Sequence, residues 1–206
     1  MFDLKKKLVV NVKKPQSNIY GKMQLKSMNE RHNTLALWGI THMDFDDKNI
    51  ILDIGCGGGK NILNMLEMKK DIKVYGLDYS EASVAMSTKL NEKAIKSGNT
   101  IIKQGTAENI PFDENQFDLV TAFETIYFWD INKGFGDVFR VLKKGGQFMI
   151  VNEAQNDDGM EELIATIGFS VYTATQIKTA LNAVGFVNIT IDEHTNGKWL
   201  AVIASK

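Results

Sequence analysis

The chain has 206 residues, 44% of them apolar and 24% charged, with a formal net charge of −1. That length suits one domain with a full-sized core and an appended segment, and the near-neutral balance argues against nucleic acid as the main partner. The single Cys56 excludes an intrachain disulfide and a cysteine-rich metal site, and no apolar run reaches membrane-spanning length. The start of the chain carries too little apolar sequence for a secretory signal, so the cytoplasm is the expected compartment and no membrane partner is expected.

Residues 1–19 are weakly patterned, and Lys5-Lys6-Lys7 reads as a solvated terminus. Helical spacing follows over 20–43, with Leu25, Met28, His32 and Leu35 on one face and Gly39 as a stop or kink. From residue 50, strands and helices alternate. Ile50 to Ile54 is an apolar run of strand length, and Gly55, Gly57, Gly58 and Gly59 then form a turn that leads into a helix over 61–68. A strand over 73–77 closes on Asp78. Ser80 caps a helix running to Lys96, with Ala82, Met86, Leu90 and Ala94 as its apolar stripe. Strands are expected over 100–104, 117–122 and 147–151, with a helix over 132–142 that Lys143-Lys144-Gly145-Gly146 ends. The tail differs: a helix over 175–184 precedes two strands, 187–192 and 199–205, joined through the hairpin signal Asn196-Gly197.

Near-continuous apolar strands alternating with helices argue an α/β fold, a parallel sheet covered on both faces, closed by an antiparallel hairpin. Strand, glycine-rich turn and helix together form the usual mouth of a nucleotide-like site. The glycine loop then discriminates among ligands. A phosphate loop requires Gly-x-x-x-x-Gly-Lys-Ser/Thr, but Ile54 and Asn61 occupy its first and last positions. A dinucleotide fingerprint requires Gly-x-Gly-x-x-Gly, and Lys60 or Ile62 stands where the third glycine belongs.

What is present is Asp53-x-Gly55-x-Gly57-x-Gly59, with Asp78 in Val74-Tyr75-Gly76-Leu77-Asp78-Tyr79-Ser80 placed 25 residues after Asp53. Gly105-Thr106-Ala107-Glu108-Asn109-Ile110-Pro111-Phe112, Phe117-Asp118-Leu119-Val120 and Leu142-Lys143-Lys144-Gly145-Gly146 follow in order. Over residues 50–151 the chain resembles the Rossmann-like S-adenosylmethionine-dependent methyltransferases. The resemblance implies a three-layer sandwich with a seven-stranded, mostly parallel sheet and an antiparallel last strand. It implies S-adenosyl-L-methionine as cofactor and no metal. Asp53, Gly55, Cys56, Gly57 and Gly59 would surround the methionine part, Asp53 serving the loop amides or the amino group. Asp78 and Tyr79 would meet the ribose, and Thr106, Ala107 and Glu108 the adenine. Ala122 and Phe123 would flank the cofactor at the end of the fourth strand. Where many relatives carry Asp, Thr106 stands here, and Glu108 is the acid at hand.

Methyl transfer from a sulfonium is an in-line displacement that depends mainly on alignment, and a base is needed only when the acceptor must lose a proton. The segment after strand four reads Ala122-Phe123-Glu124-Thr125-Ile126-Tyr127-Phe128-Trp129-Asp130, which is not the Asn/Asp-Pro-Pro-Tyr/Phe signature for exocyclic amines of bases. Glu124, Tyr127 and His32 are the candidate catalytic residues. Tyr127 and Trp129 are candidate walls for an aromatic or cationic acceptor, with packing onto the sheet as their alternative role. Tyr20 is a second candidate on the N-terminal helix, and the acidic stretch with Asp157-Asp158 and Glu161-Glu162 is a third source of contacts. The expected organisation is an N-terminal segment, 1–49, bearing a lid-like helix, followed by the methyltransferase domain, 50–206. The expected acceptor is a small molecule. A non-catalytic S-adenosylmethionine-binding protein and a nicotinamide-dependent oxidoreductase stay open as alternatives.

Overall fold

A computed structural model describes residues 11–46, 49–153, 168 and 170–206. Helices α1 (Ile19–Arg31) and α2 (Asn33–Ile40) precede β1 (Ile50–Ile54), α3 (Lys60–Met68) and β2 (Lys73–Asp78). Then come α4 (Glu81–Leu90), α5 (Glu92–Lys96), β3 (Thr100–Gln104), β4 (Phe117–Phe123) and α6 (Ile131–Val141). The chain ends with β5 (Leu142–Glu153), α7 (Ala174–Val184), β6 (Val187–Glu193) and β7 (Trp199–Ser205).

The described strands form one seven-stranded sheet in the order β3-β2-β1-β4-β5-β7-β6. β1 to β5 pair in parallel, and β7 runs antiparallel between β5 and β6. The order reverses direction between β1 and β4, so the ends of these strands open a crevice where an α/β sheet binds ligands.

Strand alternation divides the core into two clusters. Leu52, Val120, Ala122, Phe148 and Ile150 point to one face and pack with Phe135, Val138, Ile177 and Leu181 of α6 and α7. Ile51, Leu119, Phe123, Met149 and Val151 point to the other and pack with Leu35 and Ile40 of α2 and Ile62 and Met65 of α3. Each fully buried side chain of this size contributes roughly 1.5–3 kcal/mol. The two faces together explain why these strands read as unbroken apolar runs.

Several local expectations change once the partners are in place. Residues 20–43 form two helices meeting at His32, and the second continues to Ile40. Gly39 is therefore a packing residue: a Cβ there would lie 2.6 Å from Val151 Cγ2, so α2 lies directly against β5. The helix after Ser80 divides at Asn91, and the expected stripe is wrong for its outer part. Leu90 is 43% exposed, while Ser83, Ser87 and Asn91 are buried. Gly145, at φ +79°, sits inside β5 rather than ending a turn before it. The β4–β5 register shifts between Phe117 and Leu119 there. Asp118 accepts hydrogen bonds from Asn49 N–H, Ile50 N–H and Lys143 Nζ at 3.1, 2.9 and 2.7 Å, tying the entry of β1 to this bulge. Lys5-Lys6-Lys7 and the acidic stretch containing Asp157 and Glu161 lie outside the described residues.

Candidate active site

The glycine loop is held from below by β2. Gly55 N–H and Cys56 N–H both donate to Leu77 O, at 2.7 and 3.0 Å, and Gly57 N–H donates to Asp78 Oδ2 at 2.9 Å. Gly55 has φ +73°, and a Cβ on it would lie 2.2 Å from Thr125 Oγ1, so only glycine fits between β1 and the segment after β4. A Cβ on Gly57 would meet nothing closer than 4.0 Å, so the loop is open on its cleft side. On the other side α4 presents a polar stripe. Asn91 Nδ2 donates to Gly59 O at 3.0 Å, and Ser87 Oγ lies 3.9 Å from Cys56 Sγ. This stripe was not anticipated; Ser80, Ser83, Ser87 and Asn91 recur at three- and four-residue spacing, which is its one legible signal.

Asp78 ends β2 with both oxygens engaged. Oδ1 accepts from Ser80 N–H at 2.9 Å and Oδ2 from Gly57 N–H. Burial pushes its carboxyl above the usual range against these two hydrogen bonds. The neighbouring residues pin the N-terminal segment across the cleft: Tyr79 Oη donates to Lys13 O, and Ser80 Oγ donates to Pro15 O at 2.7 Å. Asp53 lies one layer deeper and is 1% exposed. Its Oδ1 accepts from Thr121 Oγ1 at 2.9 Å, while Oδ2 has no partner among the described residues. Burial pushes Asp53 up to about 7. The loop amides that Asp53 was expected to serve are thus held by Leu77 and Asp78.

Beyond β3, Thr106 and Asn109 form an isolated bridge that fixes the loop, and Ala107 is buried. Glu108 lines the cleft but is already committed: its Oε1 accepts from Asp130 N–H at 3.0 Å, next to the start of α6.

A cleft of about 300 Å³ joins these parts. Gly55, Cys56, Gly57, Asp78, Tyr79, Thr106, Ala107 and Glu108 line one end. Phe123, Glu124, Thr125, Phe128 and Trp129 continue the wall beyond β4, and Leu25, Met28, Asn29, His32 and Leu35 of the N-terminal helices face them. Asp53, Gly59, Ala122 and Tyr127 are not on this wall. Asp53 and Ala122 are shut in the sheet, Gly59 packs on Ser87 and Asn91, and Tyr127 stands behind Glu124. Tyr20 also lies off the wall. Asn29, Ser83, Thr125 and Phe128 line the cleft without having been singled out, because nothing in their local pattern says what stands opposite them.

Glu124 is the main ionisable group of the acceptor-side wall. It has φ +55°, a conformation uncommon outside glycine and typical of positions over-determined by their surroundings. Its Oε1 accepts from Tyr127 Oη at 2.9 Å and from Glu153 N–H. Burial pushes Glu124 up to about 7. His32 is held below the usual histidine range by burial, with the Arg31 charge adding and Glu153 opposing.

An open glycine loop at the switch point of a parallel sheet, a strand-end acid beside it and an apolar wall beyond define a Rossmann-like site for a small cofactor. Residues 52–150 match the family described as Methyltransferase domain. The uncharacterized methyltransferase YdaC of Bacillus subtilis is 28% identical over 165 residues, covering 80% of this chain and 86% of that one. Other methyltransferases it matches are longer, and the chain spans 45% and 54% of two of them. The fold is shared with geranyl diphosphate C-methyltransferase from Streptomyces coelicolor, solved with S-adenosyl-L-homocysteine (TM-score 0.73, 15% identity, 84% of this chain and 77% of that one). It is also shared with the [4+2]-cyclase SpnF (TM-score 0.72, 16% identity, 86% and 81%). Residues 52–150 therefore match a methyltransferase domain on a Rossmann-like fold, and the likeness to a structure solved with S-adenosyl-L-homocysteine is consistent with S-adenosylmethionine as cofactor. No helix among the described residues is long and apolar enough to cross a membrane.

Proposed function

We propose that this methyltransferase acts on a small-molecule acceptor held between the segment after β4 and helices α1 and α2. The observation that carries the reading is the form of the cleft. One continuous cleft of about 300 Å³ runs from the cofactor loop to the wall after β4 and is faced by α1 and α2, a form suited to a small acceptor placed next to the cofactor. The described part of the N-terminal segment, residues 11–46, acts as its lid, anchored through Lys13 and Pro15.

The residues fit the cofactor. The main chain at 55–58 would close around the methionine part, and Asp53 Oδ2, which has no partner among the described residues, lies buried in the layer behind it. Asp78 would accept the ribose hydroxyls, having lone pairs left after its two amide contacts. Ala107 and Thr106 would flank the adenine, with Glu108 supporting that loop through Asp130. When bound, the sulfonium supplies an electrophilic methyl group. This chain aligns the acceptor, excludes water beneath α1 and α2, and takes up a proton at Glu124, whose carboxyl is poised near neutrality. Phe123, Phe128 and Trp129 present apolar surface to the acceptor, and His32, neutral at pH 7, offers it a hydrogen bond.

Incubation with methyl-labelled S-adenosylmethionine and the small-molecule fraction of a cell extract tests this. Label is expected in a small product, with release of S-adenosylhomocysteine. Label that enters only protein or nucleic acid overturns the acceptor class. Glu124→Gln should lower turnover about 100-fold or more with little change in cofactor affinity.

A further inference from the structure

The contacts behind Glu124 contain a proton-counting problem. Tyr127 Oη lies 2.9 Å from Glu124 Oε1 and 3.1 Å from Glu153 O. The phenol carries one proton. A backbone carbonyl only accepts, and an ionised carboxylate only accepts. With Glu124 ionised, the phenol proton therefore serves one of these two oxygens, and the charged one is the stronger partner. With Glu124 protonated, the charge that holds the phenol proton is gone, and that proton turns to Glu153 O. Two arrangements therefore follow among the described contacts. They differ by one proton and one rotation of a hydroxyl group.

The surroundings hold the chain in place. Glu124 N–H donates to Val151 O at 2.9 Å, and Glu153 N–H donates to Glu124 Oε1, so the left-handed residue is clamped to β5 at both ends. Tyr127 is buried on the single-turn helix Ile126–Phe128. We propose that Tyr127 is the positioning residue of the base, its hydroxyl turning between the Glu124 carboxylate and the Glu153 carbonyl as Glu124 takes the acceptor's proton. The acceptor is then a protic nucleophile, a hydroxyl or an amine, carried on a largely apolar body. This rests on the reading of Glu124 as base. The acceptor's lone pair forms the new bond to the methyl carbon, the carbon–sulfur pair leaves with sulfur, and the acceptor's proton passes to Glu124. No oxidant or reductant is required.

Other groups around Glu124 agree. Burial raises Tyr127 well above the usual phenol range, so it keeps its proton throughout. Glu153 raises Glu124 and Arg31 lowers it, both through charge, while His32 across the cleft is neutral at pH 7. The walls available to the acceptor's body are Phe123, Phe128, Leu35 and Met28.

Infrared titration of the S-adenosylhomocysteine complex tests the proposal. The Glu124 carboxylic band is identified by its loss in Glu124→Gln. Removing the phenol in Tyr127→Phe takes a hydrogen bond from the charged form. The Glu124 midpoint should rise by about one to two pH units. Turnover at pH 7 should fall about 10- to 100-fold, recover toward pH 9, and leave cofactor affinity unchanged. An unmoved midpoint overturns the proposal. In the unmodified enzyme, the tyrosine C–O band should shift with the same midpoint as the Glu124 band, so the test stands even where Tyr127→Phe fails to fold. Independent titration of the two bands also overturns it. Wild-type turnover by Glu124→Gln instead removes the base reading on which it rests.

Discussion

Asp53→Asn probes the most costly group in the site. Asp53 is 1% exposed, has one hydrogen bond, from Thr121 Oγ1, and leaves Oδ2 unpartnered among the described residues. Its carboxyl is raised from 3.8 to about 7, first by burial and further by the Asp78 charge, with the Thr121 bond opposing. A raised carboxyl stabilises the fold fully below the unfolded pKa. That stability is lost as pH rises through the folded value, because the unfolded chain sheds a proton the native state retains. About three pH units at about 1.4 kcal/mol each give a loss of about 4 kcal/mol at most between pH 4 and 7. Asn keeps the acceptor for Thr121 and does not titrate. The difference in unfolding free energy, wild type minus Asp53→Asn, should therefore fall by about 2–4 kcal/mol between pH 4 and pH 8 and be flat above. Urea unfolding of the cofactor-free protein across that range measures it, and taking the difference cancels titrations common to both proteins. A change below about 1 kcal/mol would refute the picture of a carboxyl stranded in the sheet.

Asp78→Ala orphans the N–H groups of Gly57 and Ser80, each worth about 1–3 kcal/mol, and removes the acceptor for the ribose. Calorimetry should show S-adenosylhomocysteine affinity falling at least 100-fold; unchanged affinity would contradict the assignment of this acid. Gly59→Ala places a Cβ 2.3 Å from Ser87 Oγ and 2.5 Å from Asn91 Nδ2 at φ +82°, so α4 and the loop must separate. A drop in stability of about 2 kcal/mol or more is expected by urea unfolding, and a wild-type midpoint would refute the close approach.

Much of the scaffold was legible because its cues are local. An apolar run, a glycine cluster and a helical period mark β1, the loop and α3, and Asn196-Gly197 marks the β6–β7 hairpin. The resemblance added the seven-stranded sheet, its antiparallel last strand and the expected cofactor. The site itself was read unevenly. Gly55, Gly57 and Asp78 stand on the cleft wall, and Asp78 also grips the loop. Asp53 looked like Asp78, an acid closing an apolar run, yet it lies inside β1, paired with Gly76 and Thr121 and shut in, whereas Asp78 is the last residue of β2. Glu108 was the acid nearest the adenine loop, and α6 claims it through Asp130.

By itself the sequence determined the alternating elements, the glycine loop and the spacing of Asp53 and Asp78, because hydrophobic period and backbone permissiveness are properties of neighbouring residues. Only the tertiary structure decided what faces those elements. It set Ser87 and Asn91 beneath the loop, Gly39 against Val151, and Tyr127 behind Glu124 rather than in the cleft. Each of those contacts joins segments distant along the chain or turns on a left-handed residue, and a pattern read one stretch at a time holds no information about the surface across from it.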